Sequence, residues 1–76
     1  MNKIRRKTLE RIAARIEELK TELEDVMSEE EEYRDNMPEN LQGSERYEKA
    51  DEACDALSYA IDALDEALEN IESAAE

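Results

Sequence analysis

The chain has 76 residues, 43% of them charged, a formal net charge of -13, and no His, Trp or Phe. That length fits one domain with little core to spare. The acid surplus repels nucleic acid, so direct DNA or RNA binding is not expected. Nucleophilic and phosphate-cradling catalysis lack a His, a Gly-rich loop and a Ser beside a base, so neither an enzyme nor a cofactor is expected.

Apolar residues recur periodically, which separates the chain from a disordered polyelectrolyte. The first periodic stretch predicts a helix over residues 3–35. Leu9, Ile12, Ile16, Leu19, Leu23, Val26, Tyr33 and Met37 follow the 3-4 spacing of a coiled-coil seam, interrupted at Glu30. Glu30 either pairs with Arg34 or Arg46 or marks where the seam opens near the loop, and opening is the preferred reading. A break covers residues 36–44. Pro38 cannot supply a helical donor but can open a short turn through Glu39 and Asn40. Gly43 frees the backbone before Ser44, a good N-cap for a second helix over 45–75. Leu41 is expected to plug the end of the bundle, with Tyr33 and Tyr47 stacked over it.

The second seam reads Tyr47, Ala50, Cys54, Leu57, Ile61, Leu64, Leu68, Ile71 and Ala75, with no polar position. Cys54, the lone cysteine, suits a small apolar filler better than an intermolecular disulfide. A single thiol fits a reduced compartment, and neither end carries an apolar run long enough for a signal peptide or membrane span, so a cytoplasmic location is predicted. At ~1.5 Å rise per residue both helices approach 50 Å, and equal lengths suit an all-α antiparallel hairpin.

Charge placement supports the same arrangement. Residues 1–20 carry seven bases against three acids, and residues 21–76 carry three bases against twenty acids. Bases at a helix start and acids at a helix end oppose the helix dipole. An antiparallel neighbour compensates, because it lays the Arg-rich start beside Asp62, Asp65, Glu66, Glu69 and Glu72.

The second helix carries an additional small-residue stripe. Ala53, Ala60, Ala67 and Ala74 lie on one side of its seam, with Ala56 and Ala63 further round. One neighbouring helix cannot cover so broad a face. The stripe therefore predicts self-association, with two hairpins forming a four-helix bundle as a homodimer.

Carboxylates are the only functional groups in quantity. Helical pairs such as Asp62 with Asp65 and Glu66 with Glu69 have a spacing that ligates Mg²⁺ in some helical hydrolases, but that use needs acids pointing into the bundle, and only Glu30 sits on a seam. No metal site is expected. Glu22, Glu24, Asp25, Glu29, Glu31, Glu32 and Asp35 on the first helix, with Glu45, Glu48, Asp51, Glu52 and Asp55 on the second, leave the loop half densely acidic. Dense carboxylates on a stiff frame resemble the charge of duplex DNA, which suits a protein partner with a basic cleft. The competing reading is a small coiled-coil adaptor whose acid serves solubility alone.

The segment Asp35-Asn36-Met37-Pro38-Glu39-Asn40-Leu41-Gln42-Gly43-Ser44-Glu45-Arg46 resembles the loop of a family of small acidic proteins carried by phages and other mobile elements of Firmicutes. Asn2-Lys3-Ile4-Arg5-Arg6-Lys7 before it and Ile61-Asp62-Ala63-Leu64-Asp65-Glu66-Ala67 after it extend the likeness. Tyr47 stands where that pattern has a small residue. The resemblance implies a mobile-element context, in which acidic DNA mimics that block host defence are common, and it implies no reaction.

Overall fold

The structure, a computed structural model, describes residues 1–76. It is all-helical: α1 (Lys3–Asp35) and α2 (Glu45–Ala75) form an antiparallel hairpin joined by a turn that contains one short 3-10 segment, Glu39–Leu41. The Cα envelope measures 59 × 15 × 12 Å, a rod one helix thick and two wide.

Local chemistry sets the helix ends. Asn2 caps α1, its side-chain oxygen accepting from the Arg5 amide at 2.8 Å. After Asp35, Pro38 stops the helix and precedes the 3-10 turn, which is closed by the Leu41 amide donating to the Pro38 carbonyl at 2.8 Å. Ser44 caps α2: its hydroxyl donates to the Leu41 carbonyl and accepts from the Tyr47 amide. Glu45 and Glu48 in the first turn of α2 also favour its positive end. Replacing Ser44 by alanine is expected to cost about 1 kcal/mol in urea unfolding, because an orphan amide of α2 loses its acceptor. Gly43 plays a smaller part than its composition suggests, having no positive φ and open space around its Cα.

At the far end, the Arg6 guanidinium donates to the Ala75 carbonyl at 2.8 Å. The last carbonyls of a helix lack partners of their own, so a cation from α1 satisfies one of them and complements the negative end of α2. This contact and two ion pairs described below lock the antiparallel register.

All nine positions of the α2 seam are buried or half-buried. The α1 side differs from expectation. The residues turned toward α2 are Leu9, Ala13, Ile16, Lys20, Leu23, Met27, Glu30, Arg34 and Met37, all at least half-buried. Ile12, Leu19, Val26 and Tyr33, expected on the seam, remain 39 to 53% exposed. α1 is thus rotated by about one seam position from the orientation its hydropathy suggests. The reason lies in Lys20, Met27 and Arg34: their long stems cover the seam edge while the two charged heads reach acids on α2. Leu41 is also exposed, and Met37 closes the loop end in its place.

Little of the chain is deeply covered. Only Met37, Ala50, Cys54 and Ile61 are buried, and no side chain is completely enclosed. Two helices can shield one line of contact and no more, so most apolar groups stay partly wet.

Candidate protein-binding surface

Each edge of the seam has its own chemistry. Along one edge, Lys20 Nζ meets Asp65 Oδ1 at 2.6 Å and Arg34 Nη1 meets Asp51 Oδ1 at 2.9 Å. Arg34 also donates through Nε to Asp35 at 2.9 Å. The hydrogen bond from Lys20 to Asp65 raises the ammonium pKa, and Asp35 first and then Asp51 raise that of the Arg34 guanidinium. This edge is closed by charge.

The opposite edge carries the apolar residues left uncovered. At 100° per residue, Lys20 and Arg34 lie on one side of the Ile16, Leu23 and Glu30 line, and Leu19, Val26 and Tyr33 lie on the other. On α2, Asp51 and Asp65 lie on one side of the Cys54 and Ile61 line, with Ala53, Ala60 and Ala67 on the other. Because the ion pairs join matching edges, the uncovered rows of both helices share one flank of the hairpin. A groove lined by Glu30, Tyr33, Glu45, Arg46, Lys49 and Ala50 shows this directly, since Tyr33 and Arg46 face the same open space. The register places Ile12 level with Ala74, Leu19 with Ala67, Val26 with Ala60 and Tyr33 with Ala53.

Of the alanines expected at an oligomer interface, Ala53 and Ala67 are half-buried beside the seam, while Ala56, Ala60, Ala63 and Ala74 are exposed. The large half of the same flank, on α1, was not foreseen from the sequence. Its signal was the seven-residue repeat of Lys20, Met27 and Arg34 with two aspartates in matching register on α2.

The acidic positions lie elsewhere. Glu22, Glu24, Asp25, Glu29, Glu32, Asp35, Glu45, Glu48, Glu52 and Asp55 are exposed, and Glu31 and Asp51 are half-buried. Asp35 and Asp51 are held by Arg34, and Glu45 is held by Lys49 at 3.2 Å. The other nine make no ion pair. Glu30 makes none either, although it lies half-buried against α2 and the seam continues past it to Arg34 and Met37, and Arg46 is likewise without a carboxylate partner. Asp65 is engaged by Lys20, Asp62 is exposed, and no group of three or more His, Cys, Asp or Glu residues is placed to hold a metal ion. No helix is long and apolar enough to cross a membrane.

Cys54 lies inside the seam, and burial pushes its thiol pKa upward. Its ordinary value is 9.0, so above pH 9 an unfolded chain ionises first and the folded state loses ground. Lys20 acts in the same direction at higher pH: the stability from its raised pKa is fully present below its ordinary 10.5 and is lost as pH rises through the folded value. Urea midpoints are therefore expected to fall steadily between about pH 9 and pH 11, and Cys54→Ala is expected to remove the earlier part of that fall. A midpoint that is flat across this range would show that neither group is coupled to folding.

Compared with known proteins, the chain matches no family model, no curated protein and no solved structure.

Proposed function

We propose that this protein works by protein–protein contact, its acidic loop half occupying the basic cleft of a nucleic-acid-binding protein in place of nucleic acid. The observation that carries this reading is the set of nine unpaired carboxylates on a stiff helical frame. Residues 21–55 hold fourteen acids and three bases. They occupy about half of a 59 Å rod, so carboxylates recur about once per 2 Å of its length. Duplex DNA carries one charge per ~1.7 Å of axis, which is close enough for the same cleft to accept either. A helical hairpin also keeps these charges in place, so little ordering cost is left for binding. The loop resemblance to proteins of phages and mobile elements supports a blocking role, directed at a host defence or nucleic-acid-processing protein.

The test uses the full chain immobilised and exposed to a Firmicutes lysate, with elution by salt and, separately, by short duplex DNA. Retained nucleic-acid-binding proteins are expected to leave steeply between 0.1 and 1 M salt, as the screening length drops from about 10 Å to about 3 Å. Duplex DNA is expected to displace them at low salt. Retention that ignores both salt and DNA, and that is lost when Ala60 and Ala67 are enlarged to leucine, would replace this reading with the coiled-coil adaptor.

A further inference from the structure

We infer that the apolar flank of the hairpin is the seat of a second copy of this chain, packed antiparallel about a two-fold axis that crosses α1 between Leu19 and Val26. Two independent features of the flank point to an occupant. The row Ile12, Leu19, Val26 and Tyr33 is 39 to 53% exposed at strict seven-residue spacing, and small alanines lie level with each member on α2. The hairpin itself buries only four residues, so it lacks the core that a free-standing fold of this size needs. The 59 by 15 Å outline of the hairpin, roughly 900 Å² in projection, gives the flank room for an interface of the standard ~800 Å² per partner.

A second copy is the occupant whose own apolar row matches this flank residue for residue, and because both copies carry -13, charge decides only how they lie. Residues 21–55, the loop half, carry fourteen acids and three bases, or -11, and the remainder carries nine acids and seven bases, or -2. Two hairpins with loops at the same end would crowd both -11 halves together. Turning one over sets each loop half against a nearly neutral terminal half, which lowers the repulsion. The same rotation brings Arg15 of one copy level with Glu29 of the other on both edges of the contact, two attractions set against the single repulsion of the two Glu22 carboxylates beside the axis, and it places Arg46 and Lys49 toward the acidic end of the facing α2. It also sets Ile12 level with Tyr33, so large residues meet across α1 while alanines let the two α2 backbones approach. The acids at Glu24, Glu31, Glu32, Glu48, Glu52 and Asp55 remain outside this contact.

The experiment combines solution mass with cross-linking in a Cys54→Ala background. Light scattering on the 8.8 kDa chain at micromolar concentration is expected to give twice that mass. Glu22→Cys lies beside the axis and is expected to form a disulfide-linked dimer on mild oxidation, whereas Asn40→Cys, in the loop, is expected to stay reduced. The double substitution Leu19→Lys and Val26→Lys should convert the dimer to monomer. Circular dichroism on that variant separates lost association from lost folding, and the Glu22→Cys result does not depend on it. A monomer at every concentration would overturn the proposal and leave the flank to a different protein. Efficient cross-linking through Asn40→Cys with none through Glu22→Cys would overturn the antiparallel arrangement.

Discussion

Ile61→Ala is expected to cost about 2–5 kcal/mol of stability, enough to unfold much of the population of so small a chain at room temperature. Ile61 is 8% exposed and is the only large aliphatic residue among the four buried ones. It lies near the middle of α2, level with Leu23 and Met27 of α1, where no loop or terminus can collapse into the space its truncation leaves. Ala50 and Cys54 are small, and Met37, equally well covered, sits at the loop end where the turn can relax around it. The measurement is urea unfolding by circular dichroism at one fixed protein concentration, since association would otherwise shift the midpoint. Tyr59→Ala supplies the control. Tyr59 is 75% exposed and off both rows, so its change should stay within about 0.5 kcal/mol. Equal effects at the two positions would mean that the helices do not pack through this seam.

Reversing Glu24, Glu31 and Glu32 to lysine is expected to weaken capture of nucleic-acid-binding proteins about a hundredfold. The three reversals take the formal charge from -13 to -7, each exchanging one negative for one positive charge. At about 0.5 kcal/mol per unit of charge near an exposed contact, the six units amount to about 3 kcal/mol, or two powers of ten. None of the three lies on the apolar flank, so the fold and the proposed dimer should survive, and helicity and solution mass check both. Three equivalent reversals at Glu66, Glu69 and Glu72 separate the local surface from net charge. They change the total by the same amount outside residues 21–55, and although in the proposed dimer they border the loop half of the facing copy, they leave its own carboxylates in place and should weaken capture less. Unchanged capture by the first variant would rule out the acidic loop half as the binding surface.

Much of the architecture is legible in the residues themselves. Asn36, Pro38 and Ser44 mark where the helices stop and start, because each alters which backbone groups can find partners within a turn. The α2 seam is equally plain, since its apolar line has a single polar-free path along the helix. The dense acid of the loop half is also a property of sequence, and the hairpin only needs to hold it in line.

Which face of α1 meets α2 was decided by tertiary structure. Two adjacent lines compete there: Ile12, Leu19, Val26 and Tyr33, which hydropathy favours, and Ala13, Lys20, Met27 and Arg34, which it penalises. A per-residue scale counts Lys20 and Arg34 as polar, yet their stems pack and their heads meet Asp65 and Asp51 across the edge. That pairing depends on the register of two segments distant in sequence, so no local pattern contains it. The same rotation turns four large apolar residues outward beside the alanines of α2, and thereby forms the flank on which a second chain can dock.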